Sequence, residues 1–250
     1  MDVKRSEREN EIYLSVMSEC SNDFETEMPH IAILSKMQHY GVPTRLLDIT
    51  TNALVALYFA CESLRKMSAD GVVYYFLPHE EDVRNFDSDA VAILASIPRF
   101  QKKEKEYLKK KAMEYRKLIA NEKDNLKKQE IVRDFNSLDI VRRLLHEVKS
   151  EKIAFENIIR PSDLLSNYFI IPKKDNPRII RQSGAFIIFG LNDDMEHRQV
   201  PMGKICIPSS SKKEILEELR YLGISKATLH PELYKMAEYI NDNLATNSKF

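Results

Sequence analysis

Tryptophan is absent from this 250-residue chain, glycine occurs six times, cysteine three times, and neither charge sign prevails. Each shortage removes a class of protein. Six glycines and ten prolines exclude a collagenous or low-complexity chain. Cys20, Cys61 and Cys206 are odd in number, far apart and outside any Cys-x-x-Cys or Cys/His grouping. That spacing argues against a zinc site or a disulfide framework and suits small buried thiols in a reducing compartment. Lys+Arg and Asp+Glu both total 38, so net charge directs the chain neither to nucleic acid nor to a membrane surface. The longest apolar run, Ala53–Cys61, has nine residues, where a membrane span needs about 20. MDVKRSEREN at the start contains no apolar stretch and does not read as a signal peptide. The expectation is a cytoplasmic protein with no metal and no membrane contact.

What is present is an ordinary globular composition, 43% hydrophobic and 30% charged, at a length that suits one large domain. The first thirty residues carry eight acids and three bases, with one helix-like stretch near Ile12–Met17. Ile31, Ile33, Leu34 and Met37 recur at helical spacing after Pro29, which predicts a helix over 28–40. Gly41-Val42-Pro43 then turns the chain. Thr44–Asp48 reads as a short strand, and Thr50 or Thr51 as the cap of a helix running to about Met67. Ala53–Cys61 is apolar all round, which predicts a helix buried on every side. Val72–Leu77, Tyr168–Ile171, Ala185–Phe189 and Lys204–Ile207 read as strands.

Asp87–Ile97 suits a short helix ended by Pro98, and Ser137–Lys149 an amphipathic helix with Leu138, Val141, Leu145 and Val148 on one face. Residues 101–130 hold eleven bases and six acids, with Leu108, Ala112, Tyr115 and Ile119 at helical spacing. One long amphipathic helix is predicted there. Ser209–Ser211 can cap a helix to Tyr221, and Pro231–Leu244 makes a last one. The order of elements predicts an α+β fold, a small mixed sheet with a buried helix after the Thr44–Asp48 strand, as one domain over 1–250 with a helical insertion at 101–150.

Residues 37–60 read MQHYGVPTRLLDITTNALVALYFA. This closely resembles the signature of the FRG-domain family of microbial proteins. DGVVYYF at 70–76, NPRIIRQSGAFIIFG at 176–190, GKICIPSSSKKEILEELRYLGI from 203 and LHPEL to 233 agree with it. The Phe-Arg-Gly tripeptide that names the family does not occur here, and a truncated or misplaced start is the expected reason. The pattern also resembles the ADP-ribosyltransferase arrangement, in which an early arginine, a Ser/Thr-bearing strand before a buried helix and a later acid or Gln form an NAD site. The resemblance implies a nucleotide such as NAD as cofactor and a toxin or phage-defence effector as setting. It implies no turnover where the early arginine is missing.

On that resemblance His39 and Gln182 are the candidate catalytic residues, and Tyr40, Thr44, Arg45, Asp48 and Thr50 the candidate cofactor-binding ones. They are expected to share a cleft. Their chemistry leaves two readings open at each position. His39 beside a Gly-Pro turn can carry a proton or bond a ribose hydroxyl, or simply close a helix on a carbonyl. Arg45 can offer a planar fork to a pyrophosphate, or pair internally with Asp48. Thr44, Thr50 and Thr51 suit ligand contacts or turns and caps. Gln182, before Gly184, can bond a ligand amide or hydroxyl but cannot stabilise a developing cation as a carboxylate would. Two other classes stand beside the nucleotide reading: a non-catalytic interaction module, and a nucleic-acid binder using the basic 101–130 stretch. In the latter the interleaved acids favour a solvated helical face.

Overall fold

The computed structural model describes residues 8–25, 27–62, 68–156, 158–192 and 201–231. Its acidic beginning folds as α1 (Glu9–Glu19), which buries only Glu9 and Tyr13 and packs on the 3-10 turn Ile97–Arg99. Pro29 fixes the entry to α2 (His30–His39), and Ile31, Ile33, Leu34 and Met37 are buried as their spacing predicts. The end of α2 is a Schellman closure. Gly41 sits at φ 81°, its N–H bonds Gln38 O at 2.9 Å, and Val42 N–H bonds Met37 O at 3.0 Å. The glycine of the QHYG stretch is therefore a helix stop, in a backbone conformation that costs glycine little.

Two compact units divide the chain. The first comprises Met1–Leu47, Pro78–Ile171 and Ile187–Gln199. Besides α1 and α2 it holds β3 (Val83–Asn85), parallel to β4 (Tyr168–Ile171). It also holds α4 (Asp89–Ser96), α5 (Lys102–Asn121), α6 (Asn125–Ser137), α7 (Asp139–Glu151) and α8 (Pro161–Leu165). The helix buried on every side is α4: Ala90 through Ser96 are all buried, with α2, α7, α8 and β3 against it. Its alanines let neighbours approach closely. The predicted 101–130 helix is two helices. Asp124 caps α6 by accepting from Leu126 and Lys127 N–H, and the Glu122 carboxylate accepts from the Lys123 and Asp124 N–H groups. Acidic side chains that bond nearby backbone offer the chain an alternative to continuing a helix. Leu108, Ala112 and Tyr115 are buried, as are Phe135, Val141, Leu144 and Val148. The helices of 101–150 thus supply core to this unit.

The second unit comprises Asp48–Leu77, Pro172–Phe186 and Val200–Phe250. It contains α3 (Ala53–Cys61), β2 (Gly71–Tyr75), α9 (Pro177–Arg181), β6 (Gly203–Ile207), α10 (Lys212–Tyr221) and α11 (Lys226–Leu229). β2 and β6 pair antiparallel, Val73 opposite Ile205. A Cβ on Gly71 would fall 2.5 Å from Ala60 O, so only glycine lets β2 lie against α3. Val55, Tyr58, Leu219 and Leu229 form the core, with Leu57, Ile215, Leu216 and Ile224 partly buried on it. Contrary to expectation α3 is buried on one face only, because β2 and α10 cover it while Leu54 is 41% and Phe59 38% exposed. Its cap is Asn52, whose Oδ1 accepts from Leu54 and Val55 N–H, rather than either threonine. Residues 63–67 and 232–250, where the expected ends of α3 and of a last helix fall, lie outside the described residues.

The four-stranded sheet has the order β1-β5-β4-β3, where β1 is Leu46–Thr50 and β5 Gly184–Ile188. Phe189 N–H bonds Arg45 O at 3.1 Å and Thr51 N–H bonds Ser183 O at 3.0 Å, so β1 and β5 run in opposite directions. The fold is α+β with a small mixed sheet. Cys61 is buried, whereas Cys20 and Cys206 are exposed, against the expectation of three buried thiols.

Candidate functional site

In the first unit the signature closes on itself. Thr44, buried, donates from Oγ1 to Gln38 Oε1 at 2.8 Å and accepts from Leu46 N–H at 3.1 Å. It ties the end of α2 to the start of β1. His39 is the last residue of α2, half-buried, with its ring edge-on to Tyr40 at 5.0 Å. Tyr40 is 70% exposed.

Arg45 is 5% exposed, and its partner is not Asp48. Its Nε donates to Glu9 Oε1 at 2.9 Å and its Nη2 to Glu9 Oε2 at 2.6 Å, a bidentate pair, while Nη1 donates to Phe189 O at 3.0 Å. Lys105 Nζ donates to the same Glu9 Oε2 at 2.5 Å. Burial pushes the Glu9 carboxyl up, but the two cations together outweigh it and hold it below the usual carboxylate range. Burial lowers Lys105 by more than Glu9 restores. Sequence separation hides this partnership: Glu9 is 36 residues from Arg45 and Lys105 lies 96 from Glu9. The early acidic cluster carries no sign of which acid turns inward.

The second unit brings two of the expected segments together. Thr50 Oγ1 donates to Gln182 O at 2.7 Å and accepts from Asn52 N–H at 3.0 Å. Thr51 bonds Ser183 O through both its N–H and its hydroxyl. Gln182 closes α9, and the left-handed residue after it is Ser183 at φ 47°, not the neighbouring Gly184. Gln182 Nε2 donates to Leu229 O at 3.0 Å, which fixes the amide plane and leaves Oε1 without a hydrogen bond from the described residues. The Leu229 carbonyl accepts only, so the near atom must be the nitrogen. Asp48 is exposed on β1. The expected residues therefore fall into two groups. His39, Tyr40, Thr44 and Arg45 belong to the first unit; Asp48, Thr50 and Gln182 belong to the second.

A further polar group in the first unit was not legible from the sequence. His30 is 5% exposed, its Nδ1 lies 2.9 Å from Ser96 Oγ, and its N–H donates to Glu151 Oε2 at 2.5 Å. Ser96 Oγ donates to Ala92 O at 2.8 Å. Burial, helped by the Arg99 charge, lowers the imidazole to about 4. On α5 the basic residues are interleaved with acids; Lys111 pairs with Glu114 and Glu104 with Arg143. Among the described residues no group of three or more His, Cys, Asp or Glu side chains could hold a metal ion, and no helix is long and apolar enough to cross a membrane.

Residues 2–69 match the family model described as FRG domain. No curated protein matches the chain, and no solved structure does.

Proposed function

We propose that this chain, which carries an FRG domain over residues 2–69, is a nucleotide-binding module that takes the nucleoside end of an NAD-like ligand without turning it over. The observation that carries this reading is the junction of β1 with the Gln182–Gly184 turn. Thr50 binds the Gln182 backbone, the Gln182 amide is held on Leu229 O, and Oε1 is left as an oriented acceptor. Such an acceptor suits the N–H of a carboxamide or a ribose hydroxyl. A left-handed serine beside it is the kind of local strain found at ligand sites. The ADP-ribosyltransferase-like arrangement, and the toxin or phage-defence setting, are proposed with it on the resemblance alone.

Absence of turnover follows from the chemistry of the side chains. Transfer of ADP-ribose passes through a cationic sugar, and the neutral Gln182 amide offers that charge no carboxylate. Titration calorimetry with NAD should give weak binding to the wild type and clearly weaker binding to Gln182→Ala, with no nicotinamide released over hours. Equal NAD binding by the two proteins would sink the assignment of the site.

The second reading is a non-catalytic interaction module. It is favoured by the internal bonds of Thr44, Arg45 and Thr50, which make the signature a structural knot. A wild-type chain that binds no NAD would select it.

A further inference from the structure

Glu9, Arg45 and Lys105 make an unbalanced group. Two cations share one carboxylate, and among the described residues no second acid is bonded to either. The side chains of Arg45 and Glu9 are 6% and 5% exposed and that of Lys105 12%. A buried excess of positive charge is costly unless an anion balances it. A guanidinium fork receives a carboxylate and a phosphate with the same two parallel bonds, so the position that Glu9 fills is also a phosphate position. A single carboxylate leaves one cation over, whereas a phosphate group brings enough charge for both.

The helix that carries Glu9 is itself lightly held. It is α1, whose buried residues are Glu9 and Tyr13 alone. Besides the Glu9 pair, Asn10 Nδ2 bonds Pro98 O at 2.9 Å and holds the same turn. The other walls of the group are firmer. Arg45 is bonded to Phe189 O and precedes β1, and Lys105 lies in the first turns of α5, a helix held by buried Leu108, Ala112 and Tyr115. The cations belong to the scaffold, and the anion belongs to a short flanking helix.

We propose that Arg45 and Lys105 form a binding site for a phosphate-bearing ligand, and that Glu9 of α1 is its internal competitor, displaced when the ligand binds. The site lies wholly in the first unit and stands whether or not the Gln182 junction binds a nucleoside. Inorganic pyrophosphate and ADP are the probes, titrated in parallel at constant ionic strength into wild type, Glu9→Gln and Glu11→Gln. Glu11 is exposed and pairs with Arg8, so its variant reports the effect of net charge alone. Glu9→Gln is expected to bind pyrophosphate at least tenfold more tightly than wild type or Glu11→Gln, and Lys105→Met in the Glu9→Gln background should abolish the gain. In the wild type, pyrophosphate should speed amide exchange in α1. Equal affinities for pyrophosphate and ADP assign the free anion, and tighter ADP assigns a nucleotide; both support the site. A folded Glu9→Gln protein with no gain overturns the proposal. So does one that stays unfolded in saturating pyrophosphate, since no solution anion would then replace Glu9.

Discussion

His30 makes the first unit acid-sensitive. Burial and the Arg99 charge lower its imidazole from the ordinary 6.5 to about 4, with Glu147 opposing them. The unfolded chain therefore binds a proton between those values that the folded chain refuses. Stability is intact above the unfolded value and declines as pH falls from 6.5 toward 4, by about 3 kcal/mol at most. Glu151, on the same histidine, is raised by burial, so its protonation favours the folded state and offsets part of the loss. Urea unfolding at pH 7 and pH 5 should show a clear drop for the wild type and a smaller one for His30→Gln, which keeps a partner for Ser96. Identical drops would remove His30 as the cause. At the Glu9 pair, Arg45→Met should destabilise more than Lys105→Met. Removing Arg45 strips a bidentate partner from a buried carboxylate and frees the Phe189 carbonyl, at a cost of about 3–5 kcal/mol. Losing Lys105 leaves Glu9 and Arg45 matched one to one. Denaturant midpoints of the two variants check the order.

Among the elements, α3 shows how far apolar content alone misleads. Nine consecutive apolar residues predict burial all round, yet only Val55, Tyr58 and Cys61 are buried, one per turn. A helix is buried on as many sides as it has neighbours, and neighbours cannot be read from its own sequence. Val55, 1% exposed, is therefore the position where a charge is intolerable, and Leu57, half-buried at the rim of the core, is less so. Val55→Asp should yield no soluble folded protein, while Leu57→Asp should fold with lowered stability. Circular dichroism and solubility of the pair test this. Asn52→Ala, which removes the cap, should cost about 1 kcal/mol, and Thr51→Ala less, as Thr51 does not cap the helix. The strand and turn elements were more legible. Tyr168–Ile171 matches its predicted bounds because a β-branched and aromatic run carries its own signal, and Gly41 marks a stop because few other residues accept φ 81°. β3, three residues long with Arg84 and Asn85 in it, carries no such signal.

At the scale of the whole chain, the segment 101–150 is where charge and burial part company. Its 17 charges between 101 and 130 suggest a peripheral addition, because charge is visible in a sequence and the depth of the apolar stripe beneath it is not. In the structure that stripe is core: Leu108, Tyr115, Phe135, Val141, Leu144 and Val148 are all buried, with Ala112 among them. α5 packs on α6, α7 and α8, and α7 packs on α4, the most deeply buried helix of the first unit. The candidate site divides along the same line. The contacts legible in sequence were local ones such as the α2 stop, whereas the partners of Arg45 and His30 come from α1 and α7, 36 and 121 residues away. Large side chains fully buried contribute roughly 1.5–3 kcal/mol each, so those of 101–150 account for about 10–20 kcal/mol. A domain's net stability is about 5–15 kcal/mol. Deleting 101–150 and joining the ends would also strip Lys105 from Glu9 and Glu151's helix from His30. The deletion should therefore abolish the cooperative unfolding of the first unit, seen as a lost thermal transition and loss of amide protection in α4. A shortened chain that keeps a sharp transition with α4 protected would show that the core closes without α5–α7.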